Sequence, residues 1–378
     1  MKIVYIIPTL EARGGAERVI VEKANYFSAH YGFDISIITQ CQHNDAPIVY
    51  PLSERIHHVN LGIPYYSQYK YKFPKRLWIK WKINKRLQNE TTSAILQINP
   101  DILIGISYFR PDIICKIPCR ARKIIETHEP KDLLRSFYFS GSWISKLIMK
   151  YYLYSIEKNA DIVVGLTNET KKQWKKAKCV KVIPNFSSME ISQFSTCNAK
   201  RVIAVGRLTP VKGYERLIEI WKIVYAKHPD WRLDIFGDGS LKDNLSNYIY
   251  NNNIKNITLH RATHNISHQY TNSSICAVTS YYEGFSLVIL EAMMHGVPCI
   301  AFDCPDGPRN IIIDNQNGYL IKDGDIKLFA EKLCDLIDNQ QLREQFSNAA
   351  IERSKFFDID NIMRQWKALF ESLTNCTS

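Results

Sequence analysis

The chain has 378 residues, 46% of them apolar and 23% charged, with a formal net charge of +12. That length exceeds what one hydrophobic core usually organises, and that composition excludes a disordered or fibrous protein, so two ordinary globular domains are expected. The charge is uneven: residues 1–183 hold 29 Lys and Arg against 15 Asp and Glu, the remainder 20 against 22, so one half is built to meet something anionic.

The N-terminal run MKIVYIIPTLEARGG lacks the basic flank, long apolar core and cleavage site of a signal peptide. No stretch approaches the length of a membrane span, and a cytoplasmic location is expected. Residues 2–8 form a continuous apolar run of strand length, followed by Gly14 and Gly15 and by helix formers over 16–29. Asp34–Thr39 is the next buried strand, and apolar runs at Ile102–Ile106, 123–126 and 162–166 alternate with longer helical segments. Strands alternating with helices imply a parallel sheet covered on both faces. Residues 186–199, rich in Ser and Asn and entered through Ile183-Pro184-Asn185, read as a linker.

The pattern then restarts. Arg201–Val205 is a strand, 206–213 a loop, and Tyr214–Lys227 a helix whose apolar face is Leu217, Ile218, Trp221, Val224 and Tyr225, stopped by Pro229. Further strands are expected at Arg232–Phe236, 258–260, 275–279 and 298–302. The architecture is α/β: two doubly wound parallel-sheet domains, 1–185 and 200–359, facing each other across a cleft. The ten cysteines show no metal spacing, since Cys115 and Cys119 have no second pair, and idle reduced thiols are expected.

The chemistry concentrates in the segment from Tyr281 to Met293. Glu283 falls in the loop at a strand's carboxyl end, Ser286 at the N-cap of the next helix, and Glu291 about a turn and a half into it. Open parallel sheets bind ligands in that crevice, the helix N-terminus offers amides to a phosphate, and a carboxylate one turn along can accept from a ribose diol. Either glutamate alone would read as a solvated residue. Arg207 and Lys212 flank the loop 206–213, where two fixed cations suit a diphosphate whose charge grows as a sugar bond breaks. Gly237 and Gly239 form another loop after a strand, open to close approach by a base or ribose. In the first half Gly14 and Gly15 open a helix without completing a dinucleotide fingerprint or a P-loop. His128 follows the strand 123–126 at its carboxyl end, pointing toward the expected cleft.

Taken together, the spaced Glu283 and Glu291, the Gly-Arg-Leu…Lys-Gly loop, the GGAERV start and His128 resemble the retaining glycosyltransferases of family 4, which have the GT-B fold. The resemblance covers nearly the whole chain and is strongest over 205–321. It implies that Arg207 and Lys212 hold a donor diphosphate and Glu291 the ribose hydroxyls. Glu283 would contact the donor sugar, with Gly284, Phe285, Ser286 and Leu287 around it supplying backbone contacts. His128 would meet the sugar from the opposite wall, and Gly14 and Gly15 would close on the diphosphate. His128, Glu283, Arg207 and Lys212 are thus the catalytic candidates, and a terminal helix over 360–378 would pack back on the first domain. Family members commonly carry a glutamate where this chain has Asn310. The Asp306-Gly307-Pro308-Arg309 form of that loop resembles capsule and O-antigen transferases that use UDP-sugars.

Two Asp-x-Asp strings, Asp323/Asp325 and Asp358/Asp360, lie late in the chain, beyond the donor crevice. No metal or other cofactor is expected, because cations and a helix terminus can neutralise a diphosphate. The implied activity is retaining transfer of a hexose or N-acetylhexosamine from a nucleotide diphosphate sugar to a lipid-linked glycan. Paired carboxylates also serve glycosidases, which would release free sugar without an acceptor. A sugar-nucleotide epimerase of the same fold would convert the donor alone, and a non-catalytic membrane or nucleic-acid binder would leave the donor motif unexplained.

The basic half has its own pattern. Between Lys70 and Arg86 stand Lys72, Lys75, Arg76, Lys80, Lys82 and Lys85 without an acid, interleaved with Tyr71, Phe73, Trp78 and Trp81. If 75–88 is helical, Ile79, Ile83 and Leu87 pack inward while Leu77, Trp78 and Trp81 face a headgroup layer between cations. Peripheral docking on the inner face of an anionic membrane is expected rather than nucleic-acid binding; the rival reading buries the tryptophans as core.

Overall fold

The computed structural model describes residues 1–11, 14–131 and 143–374. The chain divides into two units, Met1–Pro184 with the chain end from Ile362, and Asn185–Asn361.

The first unit is built on a seven-stranded parallel sheet in the order β3-β2-β1-β4-β5-β6-β7. Its strands are β1 (Lys2–Ile7), β2 (Asp34–Thr39), β3 (His57–Asn60), β4 (Ile102–Ile106), β5 (Arg122–Thr127), β6 (Ile162–Gly165) and β7 (Val180–Val182). The central strands are near-continuous Ile/Val/Leu runs with both faces buried, as a covered parallel sheet requires. The edge strands β3 and β7 are short and only partly buried. The helix Gly15–Tyr31 follows β1 and ends on Gly32 in the left-handed region, whose N–H donates to the carbonyl of Phe27. The terminal helix Ile359–Thr374 closes this unit with Ile362, Met363, Trp366, Leu369 and Phe370 inward, and Phe370 packs 5.2 Å from Phe27. Residues 375–378 of the expected helix lie outside the described residues.

The second unit repeats the order with six strands, β10-β9-β8-β11-β12-β13, all parallel. They are β8 (Arg201–Val205), β9 (Arg232–Phe236), β10 (Ile257–His260), β11 (Ile275–Val278), β12 (Cys299–Asp303) and β13 (Gly318–Lys322). The helix Tyr214–Lys227 buries Leu217, Ile218, Ile220, Trp221 and Val224 against them. Residues 186–199 belong to this unit instead of spanning freely. Phe186 and Cys197 are buried, and the Cys197 carbonyl accepts from Arg343 Nε at 3.0 Å.

The described cysteines are free. Burial pushes the thiols of Cys41 and Cys115 up to about 12, which keeps them unreactive. Among the described residues no helix is long and apolar enough to cross a membrane. No group of three or more potential metal ligands occurs among them either. The aspartates of the Asp-x-Asp strings have structural work: Asp323 accepts from Arg216, Asp325 caps the helix Ile326–Asp338, and Asp358 accepts from the Asp360 amide.

Candidate active site

In the second unit β8 and β11 are neighbours from which the chain departs in opposite directions, the switch point where an open sheet leaves a crevice beyond its carboxyl ends. The loop after β8 carries Arg207 and Lys212, and the loop after β11 carries Glu283. The structure brings two of these together: Lys212 Nζ donates to Glu283 Oε1 at 2.8 Å, and Ser280 Oγ donates to the same oxygen at 2.7 Å. Glu283 is buried while the Lys212 side chain is 20% exposed, so the cation stands at the mouth of the pair. Arg207 is exposed and reaches into solvent from the same loop.

Sequence reasoning missed the residue that locks these loops. Arg216, buried in the helix after Lys212, donates from Nε to the Thr279 carbonyl and from Nη2 to the Ser280 carbonyl, both at 2.6 Å. Its Nη1 reaches Asp323 Oδ1 at 2.7 Å, and its guanidinium lies 3.9 Å from the ring centre of Tyr281. A signal was present, an arginine beside Leu217 and Ile218 on an otherwise inward helix face. Gly213 permits the close approach, with φ +62 and a position where a Cβ would stand 2.2 Å from the Thr279 carbonyl oxygen.

Glu291 is buried in the helix Leu287–Met294, where Tyr270 donates to its Oε2 at 3.4 Å. Burial and then the Glu291 charge push the Tyr270 phenol well up, so it stays a donor. One turn on, His295 Nδ1 lies 2.7 Å from the Glu291 carbonyl, which can only accept; the proton is therefore on Nδ1, and Nε2 accepts from Ser267 Oγ at 2.6 Å. Ser286 occupies the N-cap with extended backbone but makes no side-chain cap bond, and its Oγ is 1% exposed as a residue and without a partner. A buried hydroxyl and the free amides at one helix start form a polar end suited to an anion. Gly284 is half-buried beside it, Phe285 is buried 5.4 Å from the Phe357 ring, and Leu287 opens the helix.

Gly237 and Gly239 each permit a close backbone approach within this unit. A Cβ on Gly237 would stand 1.9 Å from the Gly206 carbonyl, and one on Gly239 would stand 2.4 Å from that of Leu208, so both glycines let the 237–239 loop lie on the 206–208 loop. Asn310, where the resemblance expects glutamate, donates from its side chain to the Asp306 carbonyl and accepts at its own carbonyl from Arg353 Nη2. Its amide holds the turn at Asp306, whose φ is +72 and which pairs in an isolated bridge with Glu283.

In the first unit Gly14 is the N-cap of its helix and Gly15 the first helical residue, with the Glu17 carboxylate folded over Gly14. His128 follows β5 and sits over a buried charge pair. Its Nε2 is 3.4 Å from Glu126 Oε2, while Glu126 Oε1 accepts from Lys23 Nζ at 2.5 Å. Nδ1 of His128 is buried without a hydrogen-bond partner. Burial alone would raise the Glu126 carboxyl, but the charge of Lys23 and the contact with His128 outweigh it and hold it at about 2. Lys23 Nζ also lies 3.8 Å from the ring centre of Trp366.

The basic segment forms a helix, Lys75–Ile98, ten residues longer than the apolar repeat indicated. Ile83 and Leu87 are buried and Ile79 half-buried, whereas Trp78 and Trp81 are 58% and 60% exposed, which rules out the core reading of the indoles. Lys82 Nζ stands 5.4 Å from the Trp78 ring centre and Lys85 Nζ 5.2 Å from that of Trp81. Lys75, Arg76 and Arg86 are exposed on the same helix and Lys80 half-buried.

The chain is similar to known proteins in sequence and in fold. Residues 190–353 match the family model for glycosyl transferases group 1. The chain is 29% identical over 376 residues to the amylovoran biosynthesis glycosyltransferase AmsD of Erwinia amylovora, covering 97% of this chain and 98% of the relative. It is 24% identical over 383 residues to an α-1,4-N-acetyl-D-galactosaminyltransferase of Campylobacter jejuni named for a diphosphoundecaprenol-linked acceptor, with 99% of each chain covered. Among solved structures, a TarM variant of Staphylococcus aureus in complex with fondaparinux, α-GlcNAc-glycerol and UDP superposes with a TM-score of 0.79 at 19% identity, over 98% of this chain and 99% of that one. The fold is GT-B.

Proposed function

We propose, for a chain that belongs to the group 1 glycosyltransferases, that it moves a hexose or N-acetylhexosamine from a UDP-sugar to a lipid-linked glycan, with retention, in the biosynthesis of a surface polysaccharide. The observation that carries the reading is the Lys212–Glu283 pair at the sheet's switch point, beside a helix start that offers the unpartnered Ser286 hydroxyl. In the donor complex the diphosphate takes the helix start, Lys212 and Arg207 face its charge, and Glu291 accepts from the ribose diol. Glu283, already accepting from Ser280, meets the sugar. The lipid-linked acceptor for which the Campylobacter jejuni relative is named and the UDP of the TarM complex support the choice of substrates.

Chemistry proceeds on one face of the sugar. The anomeric carbon–phosphate oxygen bond breaks, the acceptor oxygen bonds to that carbon from the leaving-group side, and its proton passes to the departing phosphate oxygen. Nucleoside diphosphate and the glycoside are the products, and the cations stabilise the charge that grows on the phosphate. His128 is assigned to the sugar by the resemblance alone, and Gly14 and Gly15 to the diphosphate likewise. We place the enzyme in the cytoplasm, peripheral on an anionic membrane through Trp78, Trp81 and the lysines above them.

Incubation with each UDP- and GDP-sugar, with and without a lipid-linked acceptor, tests the reading. Transfer from a UDP-sugar, EDTA-insensitive and giving an α product from an α donor by NMR, is expected. Free sugar without acceptor would indicate a hydrolase, donor conversion an epimerase, and an inverted product would overturn the retaining assignment.

A further inference from the structure

The first unit holds a cavity of about 780 Å³, lined among the described residues only by residues of that unit, so it is not the donor site. One wall is the helix Trp143–Asn159 and the other the chain just after the helix Glu169–Gln173. The helix turns a single stripe toward it. Met149 and Leu153 are buried along its floor, and Lys146, Lys150 and Lys158 are exposed on its rim. Lys175 and Lys176 are exposed on the facing rim.

The balance of charge in this cavity is one-sided. Glu157 is the sole acid among its described lining residues, and it already accepts from Lys131 Nζ at 2.5 Å. Lys131 is fully engaged elsewhere as well: it donates to the Gln173 carbonyl at 2.9 Å and lies 4.6 Å from the Trp174 ring centre. The floor is thus an apolar strip ending in a neutralised pair, and among the described lining residues no second carboxylate answers the five rim lysines. From Lys146 to Lys158 the helix rises about 18 Å, long enough for a polyanionic head and several carbons of a stem. A volume of this size falls within the range of small-molecule pockets.

Each simpler occupant leaves part of the cavity unused. A neutral glycan has no call on five lysines, and a free inorganic anion has none on Met149, Leu153 and the ring of Tyr154. We infer that the cavity binds a diphosphate ester on a hydrocarbon stem, the anchor end of the lipid-linked acceptor. The phosphates lie between Lys150 and the Lys175–Lys176 rim, and the first carbons of the stem lie along Met149 and Leu153. The assignment of this ligand as the acceptor's anchor rests on the reading of the acceptor as lipid-linked; the ligand chemistry itself rests on the cavity.

Calorimetric titration of the full chain with farnesyl diphosphate, in saturating UDP so that the donor site is closed to it, is the test. Farnesyl diphosphate is expected to bind about tenfold or more tightly than either inorganic diphosphate or farnesol. The double variant Lys150→Glu with Lys175→Glu should weaken it by about tenfold or more, and Lys150→Arg with Lys175→Arg should restore it, while UDP affinity and thermal unfolding stay as in the parent. Equal binding of inorganic diphosphate, or undiminished binding by the Glu variant, overturns the inference. So does loss of binding in Trp78→Ala with Trp81→Ala when the Glu variant is unaffected, which would move the ligand to the membrane-facing helix. Farnesyl diphosphate binding that passes these controls in an enzyme that glycosylates only water-soluble acceptors would uphold the cavity and overturn the lipid-linked reading.

Discussion

Both units are wound on the same strand order, yet each places a Lys–Glu pair where the other does not. In the second, Lys212 and Glu283 meet at the rim of the sheet, with side chains 20% and 9% exposed. In the first, Lys23 and Glu126 meet inside the unit, at 0% and 3%, beneath Trp366. A rim pair holds a cation where a ligand can take it over at small cost to the fold. A core pair binds two desolvated charges to one another, and neither can leave without stranding its partner. In the proposed function the same chemistry serves the donor in one place and the architecture in the other, and the difference is set by solvent.

The contrast has measurable consequences. Lys23→Met should cost the first unit about 3–5 kcal/mol in urea unfolding by leaving the Glu126 carboxylate buried and unpaired, and adding Glu126→Leu should return much of it. A loss below about 1 kcal/mol would break the comparison. The pair also sets an acid limit. Because the Glu126 carboxyl is held at about 2 against an ordinary 4.5, its contribution is complete above that ordinary value and decays as pH falls toward the lower one. Glu126→Gln should abolish this limb of an acid-unfolding curve. At the rim, Lys212→Ala should lower kcat by about 10²–10³, with unfolding little changed. A stability loss rivalling that of Lys23→Met would make it a structural pair after all. Glu291→Ala should weaken UDP binding by about 1.5–3 kcal/mol in calorimetry, and normal affinity would place the ribose elsewhere. The smallest effect belongs to Trp78→Ala with Trp81→Ala. Stability should stay within about 0.5 kcal/mol, because both indoles face solvent, while co-sedimentation with anionic vesicles at low salt falls. Equal binding to neutral vesicles would remove the electrostatic part of the docking proposal.

What was legible in the chain followed the same division between local and long-range causes. The central strands announce themselves as largely apolar runs, and β2, β4, β8 and β9 have the bounds expected from them. The edge strand β3, read as His57-His58-Val59-Asn60, carries one apolar residue, and β7 has a lysine at its centre. These two edges carry too little apolar pattern for such a reading, whereas the edge strand β10 is read at 258–260. In the site, Glu283, Glu291 and Lys212 were found because their spacing is local. Arg216 and Tyr270 act through partners 21 to 107 residues away, and spacing carries no mark of that. Glu126 was absorbed into a strand, its pairing with a helix 103 residues earlier invisible until the sheet formed.

The terminal helix carries one more consequence, for how the protein is made. The first unit is not sealed by its own first 184 residues; Trp366 and Phe370 complete it from the far end of the chain. Every residue of the second unit is therefore synthesised before the part that covers Phe27 and the Lys23–Glu126 pair exists. Multidomain chains ordinarily fold in the order in which they emerge. Here the first unit starts earliest and finishes last, and a chain released before its final helix leaves the second unit joined to an open first one.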